Sequence, residues 1–326
     1  MKRVVYGSLS VSLLLFLILY FGGTYIGVAL FSRPIYVLPP STERLARDAF
    51  YIMDKHGIFA KENNFKKDIP ELMDEVKGAE NFEQIIPIIN QASKLAGGEH
   101  SSYITIDESF GNKYFNENLQ TFPKVSNEDG IVTLSLPPFK SSQDSHAEKY
   151  VSMALAAFEN SNIKGIILDL QGNTGGSMGP MLAAVSSLIT DGKVFSYVTN
   201  EGEYPYNLQD KVWSYRGKKI FETPSDRKLQ DVPVGVLINE QTASAAEATL
   251  IALKSNPNVK IFGKPTAGLA SGVAIWPLYK EHALAIAGTK TRDIHGNLYG
   301  EDPIPPDLVT DEPAKEALAW IKTNFK

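Results

Sequence analysis

The feature that most restricts the fold of this chain is an apolar run, typical of a buried strand, that leads into a helix starting at a serine. Residues 234–238 are apolar, residues 241–247 follow, and an Ala- and Leu-rich stretch continues to residue 254. The pattern predicts a strand, a tight corner and a helix. Ser244 then stands at the helix N-terminus, where backbone N–H groups can stabilise a developing oxyanion. Ser244 is therefore a candidate nucleophile, although Ser244 and Glu247 also have the spacing of a capping box.

A second predicted strand ends in a glycine-rich turn. The strand predicted over residues 164–170 has an apolar centre at residues 165–168, and Gly172, Gly175 and Gly176 precede a helix predicted over residues 178–189. Glycine permits positive φ and close approach of the backbone to a ligand, so amides in this turn can bind an anion or an oxyanion. The spacing matches neither a dinucleotide fingerprint nor a phosphate loop. An ordinary strand–turn–helix connection would also explain it.

One of the five histidines, His100, lies in a turn-like segment between Gly98 and Ser101. A histidine can act as a general base because its ordinary pKa lies close to neutral pH. His100 is therefore the candidate base, although a lone histidine is more often a surface residue without a catalytic role.

These three segments, together with residues 263–268, 289–293 and 303–307, resemble the C-terminal processing peptidases of the S41 serine peptidase family. The resemblance covers about residues 97–310. It implies an α/β fold with a mixed, mostly parallel central sheet and flanking helices, the ClpP/crotonase-like peptidase core. It also implies a serine-type endopeptidase. No PDZ insertion is expected, because only about sixty residues separate His100 from the strand that starts near residue 165.

A narrower resemblance links the chain to membrane-anchored members of this family that act on lanthionine-bridged peptides. The shared features are an N-terminal apolar anchor, Gly-Gly-x-His-Ser at residues 97–101 and Thr-Ala-Ser-x-Ala-Glu at residues 242–247. They imply a lantibiotic-like peptide substrate, cleaved near its C-terminus, and resistance to that peptide. A general extracytoplasmic processing peptidase and a non-catalytic, tethered, peptide-sequestering protein remain alternatives. The anchor disfavours a crotonase-type acyl-CoA enzyme, because acyl-CoA is cytoplasmic.

The chain departs from the family at the lysine that activates the serine in many members. Leu269 occupies that position, between Gly268 and Ala270, and Lys264 precedes the motif. The resemblance therefore implies a pair of Ser244 and His100 rather than a Ser–Lys dyad.

Further site residues are expected around this pair. The amides of Gly175, Gly176 and Ala245 are expected to hold the oxyanion. The possible orienting or substrate-binding residues are Glu247, Asn173, Ser177 and Met178. Each of these also has a structural explanation, as a helix cap, a turn residue or a residue packed in the first turn of a helix.

The N-terminus predicts an uncleaved membrane anchor. Residues 4–32 contain no charged side chain, which is longer than the roughly 20 residues that a spanning helix needs. Lys2 and Arg3 precede this run, so the N-terminus is expected in the cytoplasm and the catalytic domain outside the cell. A cleaved signal peptide is the alternative. The chain has no cysteine and a net charge of −5, and no metal, cofactor or nucleic-acid partner is expected.

The remaining pattern predicts helices alternating with strands. Helices are expected over residues 41–55, 66–77, 80–96, 145–160, 244–254 and 314–323. Strands are expected over residues 131–136, 194–198, 211–215, 232–238, 259–262, 273–278 and 283–287, with 194–198 pairing with 211–215 and 273–278 with 283–287. This alternation is typical of an α/β domain. The expected division is an anchor at 1–33, an extended spacer at 34–40, a helical region at 41–96 and a peptidase domain at 97–326.

Overall fold

The computed structural model describes residues 2–106, 120–159 and 162–324, with side chains from residue 11 onward. Contacts divide the chain into two compact units. The first contains Met1–Glu108 and Val273–Gly288, and the second contains Ser109–Gly272 and Thr289–Lys326. The predicted division at residue 97 therefore falls inside the first unit, and a later segment of the chain returns to that unit.

The described residues form α-helices and strands that agree in type with most of the predicted elements. The α-helices are α1 Lys2–Phe31, α2 Thr42–His56, α3 Ile69–Val76, α4 Ile86–Gly97, α5 Asp144–Ala156, α6 Met178–Ala184, α7 Ala245–Leu253 and α8 Pro313–Asn324. The strands are β1 Ser102–Thr105, β2 Lys124–Glu128, β3 Ile131–Ser135, β4 Gly165–Asp169, β5 Gly192–Thr199, β6 Gly202–Gln209, β7 Val212–Tyr215, β8 Lys218–Glu222, β9 Val234–Ile238, β10 Val259–Gly263, β11 Gly272–Tyr279, β12 His282–Asp293, β13 Leu298–Tyr299 and β14 Leu308–Val309.

Several predicted helices are shorter than expected. The helix expected over residues 66–77 is Ile69–Val76, and the one expected over residues 80–96 begins at Ile86, after a 3-10 turn, Glu83–Ile85. The helix expected over residues 178–189 ends at Ala184 and continues as a 3-10 turn, Ser186–Leu188. The helix expected over residues 145–160 ends at Ala156, and residue 160 lies outside the described residues.

The first unit is built from the helices α1 to α4 and a short antiparallel sheet. Ser41 caps α2 by accepting the Arg44 N–H at 3.2 Å, as the sequence predicts. Phe50, Phe65 and Ile89 are fully buried in its apolar core. Strand β1 pairs antiparallel with the first part of β12, and β11 also pairs with β12, which confirms the predicted pairing of residues 273–278 with 283–287.

Helix α1 carries an apolar segment, Val11–Phe31, with a mean hydropathy of 2.2. Its length and composition fit a signal anchor or a membrane span.

The second unit contains a six-stranded sheet in the order β14-β10-β9-β4-β3-β2. All neighbours are parallel except β2 and β3, which are antiparallel. Helices α5, α6 and α7 follow β3, β4 and β9 along the chain, and α6 packs against both α5 and α7. Helix α8 packs against β4, β9 and β10, with Ala317 and Ile321 fully buried. The parallel arrangement brings the carboxyl ends of β4 and β9, and hence the glycine turn and the serine corner, to the same edge.

The sheet content corrects one expectation. The mixed α/β class is confirmed, but a mostly parallel arrangement is not, because the structure has a second sheet that is antiparallel: β5, β6, β7 and β8 form a meander that pairs with the second part of β12. The predicted pairing of residues 194–198 with 211–215 is also wrong. Strand β6 lies between β5 and β7 and pairs with both. Its polar residues and Pro205 concealed it, since proline is depleted in strands.

The end of β12 is fixed by a buried carboxylate. Asp293 accepts hydrogen bonds from the side chains of Asn297 and Tyr299, both at 2.8 Å, and from the N–H groups of His295 and Asn297, both at 2.9 Å. Burial alone would raise the pKa of Asp293, but these donors outweigh it and lower the pKa below the ordinary value.

Candidate active site

Ser244 occupies a sharp corner between β9 and α7. Its φ of 55° and ψ of −116° are unusual for a residue that is not glycine. The side chain is partly exposed, whereas every residue of α7 is buried. Backbone strain of this kind costs on the order of 1–3 kcal/mol and concentrates at functional sites. A strained strand-to-helix turn also presents the serine nucleophile in hydrolases of other folds.

The glycine turn that follows β4 lies directly against this corner. Gly175 has a φ of 86°, and a Cβ atom at this position would lie 2.8 Å from Ser244 Cβ and 2.9 Å from the Ala245 nitrogen. At Gly176, with a φ of 120°, a Cβ atom would lie 1.9 Å from the Phe139 carbonyl oxygen. Both positions therefore require glycine, and the turn is held between residue 139 and the serine corner.

Asn173 organises this turn from a fully buried position. Its Nδ2 donates to the Leu136 carbonyl at 2.7 Å, and its Oδ1 accepts the Gly175 N–H at 2.9 Å. Its own carbonyl accepts the Ala243 N–H at 2.9 Å. Through its side chain and its backbone carbonyl, Asn173 thus connects three segments that follow three neighbouring parallel strands.

The hydrogen bond between Gly175 and Asn173 distinguishes Gly175 from the other two amides that the sequence proposes as oxyanion donors. The Gly175 N–H is already engaged by Asn173. In the part of the chain that the structure describes, the N–H groups of Gly176 and Ala245 have no hydrogen-bond acceptor. They lie on the two segments that meet at Ser244.

Glu247 connects the serine corner to the segment after β10. The fully buried carboxylate accepts four hydrogen bonds, from Ser244 N at 2.9 Å, Thr266 Oγ1 at 2.5 Å, Gly268 N at 3.0 Å and Leu269 N at 2.8 Å. Burial raises the pKa of Glu247, and these four donors oppose that rise. Glu247 thus provides the carboxylate side of the predicted capping box and also holds a second loop.

Thr266 is a site residue that the sequence pattern did not indicate. It is buried, donates to Glu247 and accepts the Ile304 N–H at 2.8 Å. The motif at residues 263–268 pointed to this segment but gave no reason to pair its threonine with a glutamate 19 residues earlier.

The lysine position of many processing peptidases is apolar here. Leu269 is partly buried, and its N–H is held by Glu247. Lys264 is exposed and forms an ion pair with Asp311 at 2.9 Å. Neither residue offers an amine that is free to accept the proton of Ser244.

Ser177 and Met178 begin α6 directly after the glycine pair. Both are partly exposed, and Ser177 is the N-cap residue. The Tyr197 hydroxyl on β5 donates to Met178 Sδ at 3.2 Å. The Tyr197 ring also approaches Gly272, where a Cβ atom would lie 3.5 Å from Tyr197 Cε1. Tyr197 was not predicted, because a tyrosine in a strand gives no sign of such contacts.

His100 lies in the turn after α4 in the first unit and is partly exposed. The adjacent Ser101 is buried, and its Oγ accepts the Ala287 N–H at 2.9 Å. Gly98, with a φ of 79°, ends α4 immediately before the turn. The backbone around His100 is therefore fixed to β12 within its own unit.

Comparisons with known proteins agree with this arrangement. The chain is 30% identical over 326 residues to the nisin-resistance protein of Lactococcus lactis subsp. lactis, covering 100% of this chain and 99% of that protein. A solved lipoprotein structure from Streptococcus agalactiae matches with a TM-score of 0.74 and 26% identity, over 89% of this chain and 99% of the other. The photosystem II D1 C-terminal processing protease shares the fold, with a TM-score of 0.56 and 12% identity over 84% of this chain and 94% of the other.

The family comparison covers the serine corner, the glycine turn and the Thr266 segment together. Residues 130–310, more than half of the chain, match the model of peptidase family S41. The chain belongs to peptidase family S41.

Proposed function

We propose that the protein is a membrane-anchored, extracytoplasmic serine endopeptidase that cleaves a lantibiotic-like peptide and so confers resistance to it. The observation that carries the proposal is the strained, partly exposed Ser244, next to two amides without acceptors at Gly176 and Ala245. A serine peptidase needs a nucleophile that lies next to hydrogen-bond donors able to hold the oxyanion.

In the proposed reaction, Ser244 Oγ attacks the substrate carbonyl and His100 accepts the hydroxyl proton. His100 then donates that proton to the leaving amine, and water releases the acyl group by the same steps in reverse. His100 is assigned by its family motif and by the ion pair that occupies Lys264.

Gly176 and Ala245 are proposed as the oxyanion donors. Gly175 instead shapes the turn, because Asn173 already accepts its N–H. Loss of one oxyanion donor typically raises the barrier by about 2.7–4 kcal/mol.

The substrate assignment is supported by similarity over the whole chain to a nisin-resistance protein. An apolar groove of about 640 Å³ also lies beside the start of α6, lined by Val151, Gly179, Pro180, Ala183 and Phe221 among others. Gly179 follows Met178 in α6, and the proposed path of the peptide runs from the oxyanion site over Ser177 and Met178 to this groove. A groove of this volume suits bulky apolar side chains.

A fluorophosphonate probe tests the nucleophile without assuming a substrate. The full-length protein in detergent should gain one covalent adduct, which peptide mapping places on Ser244. The Ser244→Ala variant should remain unmodified, and His100→Ala should react far more slowly because the hydroxyl keeps its proton. Lys264→Met should react as the wild type does.

Other outcomes of the probe experiment are equally informative. An adduct elsewhere, or an unchanged rate in His100→Ala, would refute the assigned pair. If nothing reacts while nisin still binds, the protein is a tethered, peptide-sequestering one. Reaction without cleavage of nisin would favour a general processing peptidase.

A further inference from the structure

Helix α1 is longer than a membrane requires. Its 30 residues span about 45 Å at 1.5 Å per residue. The hydrocarbon core of a bilayer is about 30 Å thick, which about 20 residues cross. Therefore either the helix tilts strongly in the membrane, or about ten residues of α1 lie outside the hydrocarbon core.

The C-terminal part of α1 is packed against the segment that follows it. The Ile35 N–H donates to the Gly23 carbonyl at 3.1 Å, and the Arg33 N–H donates to the Gly27 carbonyl at 3.3 Å. A Cβ atom at Gly23 or Gly27 would lie 2.3 Å from the carbonyl oxygen of Ile35 or Arg33, respectively. The two glycines thus allow the chain to return along the helix in direct backbone contact.

Charged side chains of α2 contact the same part of α1. Arg44 Nη2 donates to the Tyr20 carbonyl at 2.7 Å, and its guanidinium lies 5.0 Å from the centre of the Tyr20 ring. One turn further along, the buried Thr24 hydroxyl lies beside the buried carboxyl of Asp48 and favours its charged form. Charged groups inside the hydrocarbon are costly, so these contacts belong outside it.

We propose that the membrane-spanning part of α1 ends near Tyr20 and that residues 21–31 form a surface helix of the first unit, which continues from the hydrocarbon through the lipid headgroup region. This inference rests on the proposed membrane location. The uncharged residues 4–20 number 17, the lower end of the range of about 17–25 that crosses a bilayer, and Lys2 and Arg3 stand at the cytoplasmic end. The outward face of the surface helix is apolar and is continuous with the apolar surface of the spanning part. This face therefore contacts lipid rather than water. Its large exposed residues are Phe21, Tyr25, Leu30 and Phe31.

The absence of cysteine allows a direct depth measurement on the full-length protein. Single cysteines at Leu15, Tyr25, Leu30 and Glu128 carry nitroxide labels, and power saturation in proteoliposomes compares collision with oxygen and with an aqueous nickel complex. All four side chains are exposed, so the labels leave the core intact. Leu15→Cys should report hydrocarbon, Tyr25→Cys and Leu30→Cys an intermediate depth, and Glu128→Cys bulk water.

Each other pattern of depths overturns a different claim. Hydrocarbon depth at residues 25 and 30 would refute the boundary at Tyr20. Full water exposure at both would refute contact with the headgroups. Water exposure at residue 15 would instead refute the proposed membrane anchor itself, which separates the failure of that proposal from the failure of this inference.

Discussion

The carboxylate of Glu247 offers the sharpest test of how the site is held together. In Glu247→Gln one oxygen becomes an NH₂ group, which cannot accept a hydrogen bond. The best placement points the NH₂ at Thr266, whose hydroxyl can reverse and accept. In the wild type, one carboxylate oxygen of Glu247 accepts hydrogen bonds from both Thr266 and Gly268. With the NH₂ group in the place of that oxygen, the buried Gly268 N–H has no acceptor.

The size of the effect follows from these contacts. A buried N–H without an acceptor costs about 1–3 kcal/mol, and the surviving bonds lose the charge that makes them roughly twice as strong. The sum is about 2–4 kcal/mol, larger than the roughly 1 kcal/mol expected for the loss of a helix cap alone.

Thermal unfolding of the full-length protein in detergent measures this difference. Glu247→Gln should lower Tm by roughly 10 °C, at about 2–4 °C per kcal/mol for a domain of this size. Glu71→Gln is the matched control, since Glu71 is also an acidic residue in the first turn of a helix but is exposed. Its free energy of unfolding should change by less than about 0.5 kcal/mol. Equal Tm values for Glu247→Gln and wild type would refute the assigned bonds.

Three further predictions concern other parts of the second unit. Tyr197→Phe keeps the ring but removes the bond to Met178, so KM for nisin should rise while kcat changes little; an unchanged KM would dismiss Met178 as a substrate contact. Gly175→Ala should abolish turnover because its Cβ would collide with the serine corner, whereas Gly217→Ala, with positive φ but open space, should cost only about 1 kcal/mol and keep turnover. The wild type should have a higher Tm than Asp293→Asn, and this difference should be complete above about pH 4. It should disappear as the pH falls through the lowered pKa of the Asp293 carboxyl. A difference that grows in acid would contradict this prediction.

The order of strand, corner and helix at both halves of the site could be predicted from the sequence. Periodicity and glycine placement report local conformation, and the chain near Ser244 and Gly176 follows both. The parallel neighbours β4 and β9 then bring these corners together because their carboxyl ends share an edge.

Tertiary hydrogen bonds could not be predicted in the same way. Nothing local to Asn173 indicates that its side chain donates to the Leu136 carbonyl, or that Glu247 binds Thr266 and Gly268. Those contacts depend on burial, which a single sequence does not display. Strand β6 was missed for a different reason, because its polar alternation with proline is also typical of a loop.

The central claim is that Ser244 and His100 hydrolyse a lantibiotic-like peptide. Mass spectrometry of nisin incubated with the full-length protein, beside Ser244→Ala and His100→Ala, tests it most directly. The wild type should give one truncated product, formed by addition of water across a single peptide bond near the C-terminus, and both variants should leave nisin intact. The same product from Ser244→Ala, or intact nisin with all three proteins, would contradict it.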